Sequence, residues 1–216
     1  KLVPSARGHI TVTGEGGDAE LASIPPDRLQ EVKHAPASHL VSRGITRRFV
    51  LILGTLEPRK NIVRLLEALS YLPVAYKKKY ALVMVGGMSW QNDQIHSAIA
   101  TAAQAGWTVI KPKQYVPDAD IPALLTGAEM LVHPALHEGF GIPVVEAMSC
   151  GTTVVASDIP VMHEVAGAAA LYADPESAAD ISDKIKTVLT DEATRNQLRS
   201  AGLGRAKEFT WTEATN

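Results

Sequence analysis

From Phe49 onward the chain alternates short apolar runs with stretches of helical spacing, and this alternation restricts the fold more than any other feature. Six short runs are almost entirely apolar, and we predict strands there, at residues 49–53, 81–85, 107–110, 130–133, 153–156 and 170–172. Continuous apolar runs of this length are typical of strands that are covered on both faces, as in parallel sheets. Strands alternating with helices predict an α/β fold, a Rossmann-like open parallel sheet flanked by helices.

Local patterns place helices between and after these runs. Residues 61–72 carry a stripe of apolar side chains at helical spacing: Ile62, Leu65, Leu66, Leu69 and Leu72. Further helix starts are indicated at Pro143, at Asp174 followed by Pro175, and at Asp191, because Asp is a preferred N-cap residue and Pro suits the first helical turn. These helices are predicted to pack on the sheet and to close the domain.

The chain has 216 residues, which suits one domain with a sizeable core. Residues 1–48, rich in proline and glycine, predict a linker-like segment with a short strand, ahead of a domain over 49–216. The net charge of -2 gives no broad reason to bind nucleic acid or an anionic membrane. The single cysteine, Cys150, excludes an internal disulfide, and no apolar stretch approaches the roughly 20 residues that span a bilayer. We expect a cytoplasmic location, with the full-length protein peripheral to a membrane at most.

Residues 137–146, with the sequence HEGFGIPVVE, directly follow the apolar run 130–133. Ligands of open α/β sheets bind beyond the carboxyl ends of the strands. Gly139 and Gly141 let the backbone approach a ligand closely, and a helix that begins near Pro143 directs its free N–H groups towards it. These features predict a ligand site at this strand end.

Two glutamates in this stretch are candidate ligand contacts. We predict that Glu146 lies in the first helical turn, where its carboxylate can accept hydrogen bonds from the vicinal hydroxyls of a ribose. Glu138 is predicted to lie in the loop, nearer a reacting sugar. On spacing alone a second interpretation is equally open, in which Glu146 only compensates the helix dipole and Glu138 is a solvated loop acid.

A second candidate element, residues 54–61, follows the first predicted strand and reads GTLEPRKN. Its cations, Arg59 and Lys60, stand where a strand ends and a helix begins. If this loop and residues 137–146 open on one crevice, the two cations can neutralise a diphosphate through charge-assisted hydrogen bonds of about 1.5–3 kcal/mol each. Taken alone, the pair is better interpreted as a solvated turn.

Six elements stand in a characteristic order from residue 49 onward: residues 54–61, 86–87, 115–118, 137–146, 150–152 and 157–165. Together they resemble the group 1 (family 4) retaining glycosyltransferases of GT-B fold, over the C-terminal half of that fold. The resemblance implies a nucleoside-diphosphate-sugar donor, transfer with retention at the anomeric carbon, and no required metal or other cofactor.

Carried over by position, the resemblance implies contacts to the donor from Gly54, Arg59, Lys60, Val116, His137, Glu138, Gly139, Phe140, Gly141, Ile142 and Glu146. The catalytic candidates among them are Arg59 and Lys60, which would stabilise the leaving diphosphate, and Glu138, which would position the sugar. Thr55 stands where many members carry a phosphate-binding arginine, and Arg59 is the candidate to compensate. Gln114 stands where glycine is common.

The resemblance also implies an acceptor-binding N-terminal domain in the same protein, so we expect this chain alone to bind nucleotide without transferring a hexose. The sequences of residues 54–61 and 86–90 are most similar to those of mannosyltransferase members of the family. This similarity favours GDP-mannose as donor, with UDP-sugars as the second candidate. Two alternatives stay open. One is a non-catalytic module that binds nucleotide sugars, and the other is an epimerase or phosphorylase of GT-B fold.

Two other motifs, one for dinucleotide binding and one for metal binding, are not supported by the residues around them. Residues 14–19 fit a dinucleotide fingerprint, G-x-G-x-x-A, but the two prolines at 25–26 would halt the helix that it requires. Asp118 and Asp120 form an Asp-x-Asp pair, yet their place before the apolar run 121–128 favours capping and dipole compensation.

The histidines lack metal-ligand spacing on one helix, so the sequence predicts no metal site. We expect His133 to pack or hydrogen-bond within its strand. Cys150, which precedes Gly151, is predicted to be a small buried residue at a helix end.

Overall fold

A computed structural model of the chain describes residues 44–87, 93–112 and 115–209. The strands in these ranges are β1 (Arg48–Leu53), β2 (Tyr80–Val85), β3 (Thr108–Ile110), β4 (Met130–His133), β5 (Val154–Ser157) and β6 (Ala170–Ala173). The α-helices are α1 (Ile62–Ala68), α2 (Val74–Lys79), α3 (Asp93–Gln104), α4 (Ile121–Gly127), α5 (Ile142–Ser149), α6 (Pro160–Ala166), α7 (Ala178–Thr190) and α8 (Glu192–Ala206). Short 3-10 turns lie at Pro58–Lys60, Leu69–Tyr71, Asp118–Asp120, Gly167–Ala169 and Lys207–Phe209.

All six strands pair in parallel, in the order β3-β2-β1-β4-β5-β6. All six strands predicted from residue 49 onward are present, and the predicted α/β class with an open parallel sheet is confirmed. The strand order reverses between β1 and β4, which is the position where such sheets bind ligands.

The two strands at this reversal pair over a short length. Between β1 and β2 the register runs through six residue pairs, from Arg48 opposite Tyr80 to Leu53 opposite Val85. Between β1 and β4 the printed pairs are Val50 with Met130 and Leu51 with Leu131. β1 and β4 continue beyond this pairing to Leu53 and His133, and the loops that follow them begin there.

Both faces of the sheet are covered, as continuous apolar strands require. Successive side chains of β1 point to opposite faces, so Phe49 and Leu51 join one buried cluster while Val50 and Ile52 join the other. Each buried leucine or isoleucine of this kind stabilises the fold by about 1.5–3 kcal/mol. The strand ends are therefore rigidly placed beneath the loops.

The helix starts follow the sequence predictions with one correction. The Asp191 side chain caps α8 by accepting a hydrogen bond from the backbone N–H of Thr194 at 3.0 Å, as predicted. The prediction of a helix start at Asp174 is wrong, because α7 begins at Ala178 and is capped by Ser177. Asp174 instead accepts a hydrogen bond from the N–H of Glu176 at 2.8 Å, a local turn that competes with helix formation.

Other predictions have mixed outcomes. The predicted helix over 61–72 is confirmed as α1, which tightens into the 3-10 turn Leu69–Tyr71. Cys150 is buried, as expected. Most of the predicted linker-like segment, the dinucleotide fingerprint at 14–19, residues 88–90 and Gln114 lie outside the described residues. No helix in the described ranges combines the length and apolar character needed to cross a bilayer.

Candidate functional site

The loop after β1 is fixed by contact with the end of β2. The backbone N–H of Gly54 donates to the carbonyl oxygen of Val85 at 2.9 Å, and the N–H of Leu56 donates to that of Gly87 at 2.8 Å. A Cβ atom on Gly86 would lie 1.9 Å from the Gly54 carbonyl oxygen, so a side chain at Gly86 would not fit. This contact fixes the start of the loop against the end of β2.

The loop after β4 is joined to the loop after β1 by hydrogen bonds. The backbone N–H of Leu136 donates to the carbonyl oxygen of Arg59 at 2.8 Å. The side-chain amide of Asn61 donates to the carbonyl oxygens of Pro134 at 3.1 Å and Pro175 at 2.7 Å. Asn61 has a left-handed backbone (φ 58, ψ 33), which asparagine tolerates better than most residues. The two predicted loops therefore lie side by side.

The carboxylate of Glu138 lies at the centre of the site, with four hydrogen-bond donors around it. Its Oε1 accepts from Nη1 of Arg59 and from the N–H of Gly139, both at 3.2 Å. Its Oε2 contacts Nζ of Lys60 and lies 3.0 Å from Nε2 of His133. Arg59 also pairs with Glu57 through Nε at 2.6 Å. The structure thus brings the three predicted catalytic residues into one cluster.

Burial and neighbouring charges set the protonation of this cluster. The hydrogen bond from His133, together with the hydrogen bond and charge of Lys60, holds the pKa of Glu138 well below its usual range, against the opposing effect of burial. Burial lowers the pKa of His133, so its imidazole is neutral near pH 7. Neutral imidazole donates to the carboxylate only as the Nε2–H tautomer. Glu138 is therefore an ionised acceptor held by donors on several sides.

The glycine-rich segment after Glu138 leads directly into α5. Gly141 occupies the N-cap position with φ 91, and a Cβ atom there would lie 2.6 Å from the terminal methyl of Met162. Gly139 is exposed and has open space where a side chain would be. The Phe140 ring packs edge-to-face on Phe209 with centroids 5.7 Å apart. Contact of a ligand with the backbone of this segment stays a prediction.

Glu146 differs from the prediction in its position on the helix. The prediction of a first-turn residue is wrong, because α5 begins at Ile142 and Glu146 opens its second turn. Its side chain is half-buried, and burial, with a smaller effect from the charge of Asp118, raises its pKa to about 7. Glu146 is thus a carboxyl group near its midpoint of ionisation at neutral pH.

The remaining predicted contacts lie around these two loops. His137 and Ile142 are exposed, and the His137 carbonyl oxygen accepts from Nη1 of Arg59 at 3.4 Å. Val116 is buried in the hydrophobic core. Its place near a nucleotide base stays a prediction. Thr55 is exposed at the start of the loop. The compensation of Arg59 for Thr55 stays a prediction.

Sequence reasoning missed two residues of the site. His133 was expected to pack or hydrogen-bond in its strand, and it does, but its partner is the Glu138 carboxylate. Asn61 was interpreted as the end of a motif, whereas its amide joins three segments. A polar residue within an otherwise apolar strand, five residues before Glu138, was the available signal for His133.

Asp118 and Asp120 belong to a 3-10 turn ahead of α4, with Asp120 at the N-cap position. The Asp118 carboxylate accepts a hydrogen bond from the hydroxyl of Tyr115 at 3.1 Å. Within the described ranges, no three His, Cys, Asp or Glu side chains are grouped as a metal site would require. The absence of a required metal stays a prediction.

A parallel sheet with carboxylates and cations at its point of strand reversal defines a Rossmann-like ligand-binding domain. A profile of the family described as "Glycosyl transferases group 1" matches residues 42–205. The chain belongs to this family. The resemblance stated from the sequence motifs is thereby confirmed.

Individual relatives and solved structures agree with this assignment. The chain is 36% identical over 208 residues to O-antigen chain mannosyltransferase B of Escherichia coli, covering 90% of this chain and 54% of the relative. It therefore spans about half the length of that protein. The fold matches the C-terminal domain of the group 1 glycosyl transferase LpcC from Francisella tularensis, with TM-score 0.70, 18% identity, and coverage of 90% of this chain and 98% of that domain.

A second solved structure is the Anabaena protein HepE in complex with UDP and glucose. It matches with TM-score 0.72 and 21% identity, over 89% of this chain and 51% of HepE. At such identities the two structures establish the fold alone. The predicted C-terminal half of a GT-B fold is confirmed.

Proposed function

We propose that the chain is the donor-binding domain of a retaining glycosyltransferase, which transfers a hexose from a nucleoside-diphosphate sugar to an acceptor held by an N-terminal domain of the same protein. The observation that carries this proposal is the cluster of Glu138, Arg59 and Lys60 at the strand reversal. It places a carboxylate suited to sugar hydroxyls beside two cations suited to a diphosphate. Membership of the group 1 family supports the transferase class.

The proposed chemistry uses these charges on the leaving group. The bond from the anomeric carbon to the diphosphate oxygen breaks, and a bond to the oxygen of an acceptor hydroxyl forms on the same face of the sugar, while the proton of that hydroxyl passes to the departing diphosphate. Negative charge then grows on the diphosphate while the sugar becomes cationic. Lys60, Arg59 and the backbone N–H groups at the start of α5 stabilise that negative charge where it develops. Glu138 orients the sugar by accepting hydrogen bonds from its hydroxyls, and no metal takes part.

Glu146 is proposed to hold the ribose of the donor. It stands eight residues after Glu138, half-buried and on the helix that the glycine segment leads into. A carboxylate there can accept hydrogen bonds from two vicinal hydroxyls. Its ionisation near neutrality means that nucleotide binding and the charge of Glu146 are coupled.

The donor is proposed to be GDP-mannose, because the relative at 36% identity is named as a mannosyltransferase. A UDP-sugar is the second candidate, because HepE of similar fold was solved with UDP and glucose. A cytoplasmic location is part of the proposal. The isolated chain is expected to bind nucleotide without transferring sugar.

Calorimetry and thermal unfolding of the chain with GDP, UDP and ADP, and with GDP-mannose and UDP-glucose, test this proposal. A ligand at about 100 times its dissociation constant should stabilise the fold by roughly 2.7 kcal/mol. Inorganic pyrophosphate is the control for anion binding without a nucleoside. The proposal is overturned if none of the nucleotides binds, or if all of them bind no better than pyrophosphate.

A further inference from the structure

His133 lies at the carboxyl end of β4, beneath the loop that carries Glu138. It is 2% exposed, although it is a polar residue in a strand whose other members are apolar. Its Nε2 lies 3.0 Å from Oε2 of Glu138, and Lys60 contacts the same carboxylate oxygen. A buried imidazole is costly unless a hydrogen bond compensates its desolvation, and Glu138 supplies that hydrogen bond.

The four donors around Glu138 are not equivalent. Arg59 and Lys60 are cations that the proposed function also assigns to the diphosphate, so a bound donor would share or take over their hydrogen bonds. Arg59 is half-exposed, with 46% of its side chain accessible. His133 approaches from inside the sheet, with 3% of its side chain accessible, where a diphosphate cannot compete for it. The hydrogen bond from His133 is therefore the side-chain contact that can persist when donor binds.

We propose that His133 is a positioning residue that holds the Glu138 carboxylate in place for the donor sugar while Arg59 and Lys60 engage the diphosphate. This inference rests on the proposed function. Neutral His133 donates from Nε2, which leaves Glu138 ionised and its remaining lone pairs available to sugar hydroxyls. Without the hydrogen bond from His133, the Glu138 carboxylate would move with the cations towards the diphosphate. The hydroxyls of the donor sugar would then lose their hydrogen-bond acceptor.

Two substitutions separate the hydrogen bond from the presence of a polar side chain. The amide nitrogen of His133→Gln can reach the place of Nε2, whereas that of His133→Asn corresponds to Nδ1 and falls short of Glu138. The measurement is calorimetric binding of GDP and GDP-mannose, and of UDP and UDP-glucose, to the unsubstituted chain and to both variants. Thermal unfolding verifies that each variant is folded.

The readout is the ratio of the affinity for the sugar nucleotide to the affinity for its nucleoside diphosphate. His133→Asn is expected to lower this ratio about tenfold, the effect of losing one hydrogen bond to a charged group, with nucleoside-diphosphate affinity retained. His133→Gln is expected to restore the ratio to within about threefold, because its amide replaces the lost hydrogen bond to the same carboxylate. A merely structural role would weaken both ligands together and leave the ratio unchanged.

A double variant gives the second test. If His133 acts through Glu138, His133→Asn should cause no further change in the ratio once Glu138→Gln is present. Equal loss with and without Glu138→Gln would overturn the inference, as would unchanged ratios in both histidine variants. If the unsubstituted chain binds none of the four ligands, the proposed function itself fails, and this inference with it.

Discussion

The backbone N–H of Leu136 donates a hydrogen bond to the carbonyl oxygen of Arg59, over 2.8 Å. This contact joins the loop after β4 to the loop after β1 without using a side chain. Its geometry therefore survives substitution of the charged residues on either side. Variants of those residues should change the chemistry of the site rather than the relative position of its two loops.

Lys60→Met is expected to weaken nucleoside-diphosphate binding about 10- to 100-fold, because it removes one charge-assisted hydrogen bond to the diphosphate. It also leaves Glu138 with one cation fewer, so the fold should lose some stability. The measurement is the dissociation constant of GDP and UDP, with unfolding in urea alongside. Lys186→Met, an exposed lysine on α7, is the matched control and should change neither quantity. Undiminished nucleotide binding by Lys60→Met would contradict the proposed role.

Glu146 should make donor binding depend on pH. Its pKa of about 7 in the free chain means that it is largely protonated at pH 6 and largely ionised at pH 8. A carboxylate that accepts hydrogen bonds from ribose hydroxyls must be ionised, so GDP-mannose affinity should rise about tenfold from pH 6 to pH 8, since one ionisation limits binding. Calorimetry across this range measures the change. Glu146→Gln should bind weakly and show a flat profile; a steep profile in that variant would assign the titration to another group.

The same residue should affect stability with the opposite sign. The folded pKa of Glu146 is raised above its ordinary value of 4.5, so the stabilising contribution of this group is complete below pH 4.5 and is lost as pH rises through about 7. Glu146→Gln should therefore stabilise the free chain at pH 8 by roughly 1–2 kcal/mol, after allowance for partial solvent exposure, and have little effect at pH 5. Urea unfolding of both proteins at the two pH values gives the difference. Equal stability at pH 8 would mean that the carboxyl group is better solvated than the structure indicates.

Gly86→Ala should destabilise the domain by about 3 kcal/mol or more, through steric overlap and unfavourable backbone geometry. Its Cβ would overlap the Gly54 carbonyl oxygen, and its φ of 146 is unfavourable for alanine. Gly204→Ala is the opposite case, since Gly204 lies within α8 with open space around a Cβ atom. That change should stabilise by about 0.5–1 kcal/mol through helix propensity. Thermal unfolding compares the two, and a tolerated Gly86→Ala would show that the loop shifts easily.

Asn61 offers a way to separate backbone conformation from side-chain hydrogen bonding. Asn61→Ala should cost about 2–3 kcal/mol, because it loses two hydrogen bonds and places alanine at φ 58. Asn61→Gly keeps the backbone conformation accessible and should cost about 1 kcal/mol less. Denaturant unfolding measures both. If the two variants were equally stable, the left-handed backbone would carry no part of the effect.

The strands were predictable because their apolar runs are continuous, and burial on both faces leaves few alternatives to a parallel sheet. The convergence of the two loops was also predictable, since it follows from strand topology. The pairing of Glu138 with Arg59 and Lys60 was not predictable, because it depends on how each of the two loops folds beyond its strand.

Errors of detail arose where one local contact decides a boundary. Glu146 falls in the second turn because Gly141, with its left-handed backbone, starts α5 earlier than the proline pattern indicated. Asp174 does not start a helix because its carboxylate closes a turn on Glu176, and Ser177 caps α7 instead. His133 could not be linked to Glu138, since that contact depends on how the loop folds back over the end of β4.

β1 and β4 pair through Val50–Met130 and Leu51–Leu131, which is fewer residue pairs than any other two neighbouring strands of the sheet share. A ligand that contacts both Lys60, in the loop after β1, and Glu138, in the loop after β4, would connect the two halves of the sheet. Substrate occupancy and amide-proton protection in the two central strands are consequently expected to rise together.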